Sequence, residues 1–336
     1  VLDVDLAKFA TNYRKKLKCH VIGVTGSAGK TTVKDLLTAI LSQKYNVVST
    51  SQNQNNEIGV PLTLLKADHQ TDILIIEMAM RNLGDMTYLT KIVRPTHTVI
   101  TNIGLSHIEL LKTQRNVAKA KSEILRKALA WENEKRYAFL NHTTPHYNYL
   151  LSKAQKTGFD PLPFGGETLP EQNINLCEMV ARHFGLENDD IVTGINTYKS
   201  SSHRLKVVSN SMCTVIDDTY NANPDGVRYA MQYCQKYPGR KMMVLGAMKE
   251  LGSESESAHQ QVVEDAIEHD ISILFTIGDE TKAMKSDLVS IYHFDSKDDL
   301  HAQLLPEVKQ GDIVLVKGSR SMKMEETVKT IQDNYA

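Results

Sequence analysis

Short apolar runs recur along the chain, and segments with helical spacing lie between most of them. Nearly every residue in these runs is apolar, which is typical of strands buried on both faces of a parallel sheet. The helical segments are then the crossovers that join parallel strands. The pattern predicts strands at Val21–Thr25, Asp72–Glu77, Thr98–Asn102, Tyr137–Leu140, Cys213–Asp217, Lys241–Leu245, Ile271–Phe275 and Asp312–Val316.

A glycine-rich turn follows the first of these runs. Residues 24–32 read VTGSAGKTT, and a helix is predicted directly after them, from Thr31 to Gln43. Small residues let successive backbone N–H groups point inward, and the free N–H groups at the helix start add to this positive field, so polyphosphate is the expected ligand. Lys30 would reach the β- and γ-phosphates of ATP, and the Thr31 hydroxyl would bind its magnesium. The loop is a variant, because Val24 stands where the usual pattern has its first glycine.

This turn and the strand pattern predict an α/β fold with two domains. The break is expected at the small, polar stretch Thr197–His203, after which a new series of strands and helices begins. We predict a P-loop ATPase-like central domain with a parallel-rich sheet (residues 1–200) and a Rossmann-like C-terminal α/β domain (residues 201–336). The segment His142–Thr168 has no clear period and is predicted to be loop and short helix.

Composition narrows the class of protein. The chain has 336 residues, 41% of them hydrophobic, and a formal net charge of -1, so no basic field favours nucleic acid as a partner. No apolar stretch reaches the roughly 20 residues that a bilayer span needs. The cysteines, at 19, 177, 213 and 234, lack the spacing of a zinc site or a disulfide framework. We therefore expect a soluble, cytoplasmic protein without a membrane partner.

Polar residues follow several of the predicted strands, at the edge where ligands bind in parallel sheets. They are Glu77, Thr101–Asn102 with His107 beyond, Asp217–Pro224 and Lys317–Arg320. Each has a structural explanation when taken singly: Glu77 as an exposed strand end, His107 as a surface histidine, and Asn221–Pro224 as a turn that caps a helix. Behind a phosphate loop, the set indicates a ligand crevice. Glu77 and His107 could then join Thr31 as magnesium ligands, although histidine is unusual for so hard a cation.

These motifs together resemble the Mur ligase family. The resemblance rests on TGSAGKTT (25–32), TSQNQNNEIGVPLTLL (50–65), EM (77–78), TNIG (101–104) with His107, AKSEI (120–124), DDTYNANP (217–224), MKELG (248–252) and KGSR (317–320), and it spans about residues 20–330. YNANP and NQNNEIGVP are specific to the branch that adds D-alanyl-D-alanine to UDP-N-acetylmuramoyl-tripeptide in peptidoglycan synthesis. The resemblance implies an ATP-dependent amide ligase that works through an acyl phosphate, with those two small molecules as substrates and ATP and two Mg2+ ions as cofactors.

The resemblance also implies residue roles. Thr31 and Glu77 would hold one magnesium, and His107 and a carbamylated Lys121 a second. Lys30, His107, Lys121 and Arg204 would be catalytic, with Arg204 reaching the γ-phosphate from the second domain as the domains close. The ATP contacts are expected at Gly26, Ser27, Ala28, Gly29, Lys30, Thr31, Thr32, Asn102, Arg204, Asp218, Asn221 and Asn223. The substrate contacts are expected at Asn55, Asn56, Lys317, Ser319 and Arg320, while His259 is interpreted as a histidine at a helix start.

The sequence is also compatible with other functions. Members of this branch carry an N-terminal domain that binds the uridine nucleotide, and the residues before Val21 are too few to form one. A related ligase that joins a different acid and amine without a UDP-sugar is therefore the main alternative. A P-loop GTPase or kinase would have a conventional loop and no YNANP-bearing second domain, and an inactive scaffold would not need Lys30, Thr31, Glu77, His107 and Lys121. A monomer is expected.

Overall fold

The computed structural model describes residues 2–51, 54–126, 135–198 and 203–335, with side chains from residue 5 onward. The chain divides into two compact units, Val1–Lys199 and Ser200–Ala336. Part of the predicted break at Thr197–His203 lies outside the described residues, as do two residues of the 50–65 motif.

The first unit is a six-stranded parallel sheet with helices on both faces. Its strands are β1 (His20–Thr25), β2 (Val47–Ser49), β3 (Ile73–Glu77), β4 (His97–Ile100), β5 (Tyr137–Asn141) and β6 (Asp160–Phe164), in the order β2-β3-β1-β4-β5-β6. Its helices are α1 (Leu2–Arg14), α2 (Lys30–Leu41), α3 (Gly59–Leu64), α4 (Asp85–Val93), α5 (Ile108–Leu111), α6 (Gln114–Ser122), α7 (Tyr147–Lys156), α8 (Leu169–His183) and α9 (Asn188–Thr197).

Alternation along the central strands explains why this sheet is covered on both sides. In β3, Leu74 and Ile76 belong to one apolar cluster, while Ile73 and Ile75 belong to another. The first cluster includes residues of α1, α3, α4, α6 and α7, and the second includes residues of α2, α8 and α9. Successive side chains of a strand point to opposite faces, so a run that is apolar at every position requires helices on both.

The second unit has a six-stranded sheet of its own. The strands are β7 (Lys206–Ser209), β8 (Cys213–Asp218), β9 (Lys241–Gly246), β10 (Ile271–Ile277), β11 (Ser290–Phe294) and β12 (Asp312–Lys317), in the order β11-β10-β9-β12-β8-β7. All neighbouring strands are parallel except β7 and β8, which form an antiparallel pair. The helices are α10 (Pro224–Cys234), α11 (Ser255–Glu268), α12 (Lys297–Glu307) and α13 (Glu325–Asn334).

The α/β class and the central strands of both sheets are confirmed. The strands that the apolar pattern misses are β2, β6, β7 and β11, which are the edge strands of the two sheets. The prediction for His142–Thr168 was wrong in part: the segment contains a helix, α7, and loops as expected, but it also contains strand β6. The expectation that helical crossovers make every strand pair parallel fails for β7, which joins β8 through a short turn. None of the described helices is long and apolar enough to cross a bilayer.

Candidate active site

The phosphate loop lies at the carboxyl end of β1, in the middle of the first sheet. Strand β3 pairs with β1 on one side and β4 on the other, so the residues that follow these three strands meet at one edge. Strands β2 and β3 lie on one side of β1, and the later strands β4, β5 and β6 lie on the other. Open α/β sheets bind ligands at such a switch point in the strand order.

Residues that follow β4 form hydrogen bonds with the phosphate loop. The Asn102 side-chain oxygen accepts hydrogen bonds from the backbone N–H groups of Ser27 (3.0 Å) and Ala28 (2.8 Å). The Thr101 hydroxyl donates to the Ala28 carbonyl at 2.6 Å. A side chain at Gly26 would place its Cβ 1.8 Å from the Thr101 hydroxyl oxygen, and Gly26 has a φ of 151°. The strand end therefore fixes the loop conformation, and only glycine fits at position 26.

The start of α2 supplies donors toward the loop. Gly29 is the N-cap residue in the left-handed region (φ 78°), and the first bond of the helix runs from Val33 N–H to the Gly29 carbonyl at 2.8 Å. The N–H groups of Lys30, Thr31 and Thr32 precede that bond, so they are the N-terminal donors that a helix leaves for capping groups or anions. The Lys30 ammonium donates to the Gly26 carbonyl at 2.7 Å and lies across the loop.

Glu77, the last residue of β3, faces α2. Its Oε2 atom accepts a hydrogen bond from the Thr31 hydroxyl at 2.8 Å, and its Oε1 atom accepts one from the Asn55 side-chain amide at 2.9 Å. Glu77 is 2% exposed and Thr31 is 8% exposed. The structure thus brings two of the predicted metal ligands together, and it places Asn55, predicted to bind substrate, behind the carboxylate.

Lys121, on α6, is a buried cation beside the loop. It is 2% exposed, and its ammonium donates to the Gly26 carbonyl at 2.9 Å, the same carbonyl that accepts from Lys30. Burial, reinforced by the charge of Lys30, lowers the Lys121 pKa well below its usual value. A buried lysine with a depressed pKa is a candidate functional group, because the neutral amine that burial favours is a nucleophile.

Of the remaining predictions in the first unit, His107 and Asn56 lie in turns. His107 is half-buried, has a φ of 62° and precedes α5 in the segment after β4. The Asn56 side chain is exposed, and its oxygen accepts from Gly59 N–H at 2.9 Å at the start of α3. Sequence analysis missed Asn173 of α8, which is 5% exposed and whose side-chain oxygen lies 2.8 Å from where a Cβ would stand on Gly29.

In the second unit, two predicted site residues contact each other. Lys317 ends β12 and Asp218 ends β8, and they are direct partners in the register of the two parallel strands. The Lys317 ammonium forms an ion pair with Asp218 Oδ2 and donates to the Asn221 carbonyl at 2.9 Å. Both residues are buried. Burial raises the Asp218 pKa, and the charges of Lys317 and Arg204 oppose that rise.

Arg204 lies in a constrained segment of the second unit. The residues on either side of it, His203 (φ 61°) and Leu205 (φ 48°), adopt the left-handed region, which non-glycine residues seldom do. Its guanidinium carbon stands 4.1 Å from the centre of the Tyr220 ring. Strained backbone of this kind persists where surrounding contacts hold it, and such positions cluster at ligand sites.

The other predictions in this unit have local partners. Asn223 is the N-cap residue of α10, and its side-chain oxygen accepts from Gly226 N–H at 2.8 Å, so the helix-capping explanation holds for it. The Ser319 hydroxyl accepts from Lys249 N–H at 2.8 Å, and exposed Arg320 pairs with Glu325 at 3.0 Å. His259 is buried within the first turns of α11 and accepts from Met248 N–H at 3.0 Å, which fits a structural histidine.

The oxygen ligands of Thr31 and Glu77 suit one magnesium ion. A threonine hydroxyl and a carboxylate oxygen 2.8 Å apart are the hard oxygen ligands that Mg2+ takes from proteins, with phosphate and water supplying the rest. Among the residues that the structure describes, no group of three or more His, Cys, Asp and Glu side chains is arranged to hold a metal. Lys121 as an ammonium does not fit a second cation, whereas a carbamate at the same place would.

A phosphate loop with a Thr–Glu pair on a parallel sheet, followed by a second α/β unit, defines a P-loop nucleotide-dependent enzyme of two units. The family models identify it further: the Mur ligase middle domain matches residues 24–213, and the Mur ligase, glutamate ligase domain matches residues 203–320. The chain belongs to the Mur ligase family.

Individual relatives agree with this family. The chain is 31% identical to the UDP-N-acetylmuramoyl-tripeptide–D-alanyl-D-alanine ligase of Bacillus subtilis (strain 168), over 97% of this chain and 79% of that protein. MurF from Acinetobacter baumannii superposes with a TM-score of 0.91 at 25% identity, covering 98% of this chain and 80% of that one. MurF from Thermotoga maritima in complex with ADP gives a TM-score of 0.85 at 27% identity, covering 99% and 84%.

Proposed function

We propose that this chain is an ATP-dependent ligase of peptidoglycan precursor synthesis that adds D-alanyl-D-alanine to UDP-N-acetylmuramoyl-tripeptide. The single observation that carries the proposal is the phosphate loop with Thr31 hydrogen-bonded to Glu77, in a chain that resembles ligases of this name over almost its whole length. Residues 1–200 are proposed as the ATP-binding domain and residues 201–336 as the C-terminal ligase domain.

The reaction must overcome the poor electrophilicity of a carboxylate. Its charge is delocalised and its leaving group would be oxide, so amide formation needs prior activation. A carboxylate oxygen of the tripeptide attacks the γ-phosphorus of ATP, ADP leaves, and an acyl phosphate forms. The amine of D-alanyl-D-alanine then attacks the carbonyl carbon, gives up a proton, and expels inorganic phosphate as the amide forms.

The first unit supplies the groups that such a phosphoryl transfer needs. The Lys30 ammonium and the N–H groups of Lys30, Thr31 and Thr32 would bind the phosphate oxygens, where negative charge spreads in the transition state. Thr31 and Glu77 would hold Mg2+, which supplies charge neutralisation to the bound triphosphate. Because Asn102 already occupies the Ser27 and Ala28 N–H groups, its role in ATP binding is to hold the loop in shape.

We further propose that Lys121 is carbamylated in the active enzyme and, with His107, holds a second Mg2+. The neutral amine that burial favours reacts with CO2, forming an N–C bond and releasing one proton. The product is a carbamate anion beside the Lys30 ammonium. Protein incubated with 13C-labelled bicarbonate should show a carbamate carbonyl signal in the NMR spectrum that the Lys121→Arg variant lacks. A spectrum without this signal in wild type would contradict the proposal.

Phosphate release measured with each substrate omitted in turn tests the function. Full-rate release should require ATP, UDP-N-acetylmuramoyl-tripeptide and D-alanyl-D-alanine together, and mass spectrometry should find the pentapeptide product. The Lys30→Met variant should lose activity, because the loop loses its cation. Turnover with other acid and amine pairs, but not with this one, would instead identify a Mur-like ligase of different substrates. Full-rate ATP consumption without any amine would indicate a kinase or an ATPase.

A further inference from the structure

The contacts of Lys317 do not fit a side chain that reaches for substrate. Lys317 is 4% exposed, its ammonium is paired with Asp218, and the same ammonium donates to the Asn221 carbonyl at 2.9 Å. An ammonium has three donors, and two of them are committed to residues of its own unit. The Lys317 ammonium is therefore not exposed, as the end of a substrate-binding lysine would be.

One of the groups that Lys317 contacts, the Asn221 carbonyl, belongs to a loop. Asn221 belongs to the segment Thr219–Asn223, which connects β8 to α10. The Asn221 side chain is exposed, and its backbone carbonyl accepts a hydrogen bond from Lys317. Asn223 is the N-cap residue of the next helix, which begins at Pro224. Lys317 therefore fixes the backbone of this loop and leaves the Asn221 side chain exposed, where it could contact a ligand.

Asp218, the ion-pair partner of Lys317, also contacts a second segment. Asp218 Oδ2 pairs with Lys317, and Asp218 Oδ1 accepts from Leu205 N–H at 3.3 Å. Leu205 is one of the two left-handed residues beside Arg204. The Tyr220 N–H donates to the His203 carbonyl at 3.1 Å, so the Arg204 segment and the 219–223 loop are also tied to each other.

We propose that Lys317 is a positioning residue for nucleotide binding, which acts through Asp218 and Asn221 to hold the 219–223 loop and the Arg204 segment in their binding geometry. It does not contact the incoming dipeptide. This inference rests on the proposed function for the identity of the nucleotide, and it replaces the sequence-based assignment of Lys317 to substrate binding. A buried ion pair suits such a role, because each charge is costly to bury without its partner and so fixes the partner's position.

The test separates nucleotide binding from dipeptide use. In the Lys317→Met variant, the dissociation constant of ADP, measured by calorimetry on the whole chain, should rise at least tenfold. The KM for D-alanyl-D-alanine, measured at saturating ATP, should stay within twofold of wild type. Lys317→Arg keeps the cation and should recover part of the ADP affinity. Lys297→Met removes another lysine of this unit, one that pairs with Glu326 at the surface, and should bind ADP as wild type does.

Each outcome decides the matter. An ADP affinity unchanged in Lys317→Met, or a dipeptide KM that rises while ADP binding does not, overturns the proposal and restores Lys317 to the dipeptide site. If Lys317→Met does not fold, the same two measurements on Lys317→Arg decide, because its ADP affinity should fall while its dipeptide KM does not. ADP binding requires neither acid nor amine, so it is measured even if the wild type proves inactive with this substrate pair. Failure of the inference is thereby distinguished from failure of the proposed function.

Discussion

At the scale of single residues, the phosphate loop is held by close packing as much as by hydrogen bonds. Gly26 has no room for a side chain, since the Thr101 hydroxyl fills the position that a Cβ would take. Gly26, Lys30 and Thr31 could be assigned to one motif from the sequence because they are close together in the chain. The sequence could not identify Asn173, because that residue reaches the loop from a helix far along the chain.

The Gly26→Ala variant should lose nucleotide binding while staying folded. A Cβ would lie 1.8 Å from the Thr101 hydroxyl oxygen, so the loop or the strand end must move. We expect ADP affinity to fall more than a hundredfold by calorimetry. Gly84→Ala is the matched control, because Gly84 also has a positive φ (97°) but no atom within 4 Å of an added Cβ, and it should cost about 1 kcal/mol of stability without affecting binding. Normal ADP binding by Gly26→Ala would contradict this description of the loop.

Asn55 should act on magnesium through Glu77. Its amide donates to Glu77 Oε1 and so turns Oε2 toward the Thr31 hydroxyl. The Asn55→Ala variant should need about tenfold more Mg2+ for half-maximal activity, as is typical when the partner of a metal ligand is removed. Asn12→Ala, at an exposed position on α1, is the control. An unchanged Mg2+ requirement in Asn55→Ala would show that Glu77 does not depend on this amide.

At the scale of helices and strands, the apolar pattern predicted what lies in the middle of each sheet and missed its edges. Central strands such as β3 are buried on both faces, and β3 is apolar at every position before Glu77. Edge strands have a weaker requirement: β7 is mostly exposed, β6 contains two prolines, and β2 has three residues. Proline is tolerated at an edge because one side of the strand needs no hydrogen-bond donors. The apolar pattern therefore carries little information about these three strands.

His97, at the start of β4, should make the first unit less stable in acid. Burial, together with nearby His183 and His20, lowers the His97 pKa from 6.5 to about 3. A histidine whose pKa is lower in the folded state is protonated first in the unfolded chain, so stability falls as the pH drops from 6.5 toward 3. The loss approaches about 1.4 kcal/mol per pH unit for one such group.

Urea unfolding followed by hydrogen exchange at the β1 and β4 amides measures this effect between pH 7 and pH 4.5. In wild type, the free energy of unfolding should decrease with falling pH. In His97→Gln, which retains a side chain able to hydrogen-bond Thr96, the decrease should be shallower by close to one proton. Equal slopes in the two proteins would mean that His97 does not stay neutral in the folded state.

At the scale of the whole molecule, the family relationship explains why polar residues were predicted at strand ends in both units. Each unit presents polar residues at the carboxyl ends of its central strands: Glu77 and the phosphate loop in the first, Asp218 and Lys317 in the second. The positions of these residues could be predicted from the sequence, because the ends of the central strands could be predicted. Their pairings could not, since Lys317 with Asp218 and Asn55 with Glu77 depend on strand register and loop geometry.

Transfer of labelled oxygen tests the central claim, that amide formation proceeds through a phosphorylated carboxylate. The terminal carboxylate of the tripeptide substrate is labelled with 18O at both oxygens, and the reaction is run with ATP and D-alanyl-D-alanine. Each phosphate released should carry one 18O atom, because the oxygen that attacks the γ-phosphorus leaves with it. Pentapeptide formed together with unlabelled phosphate would contradict the account.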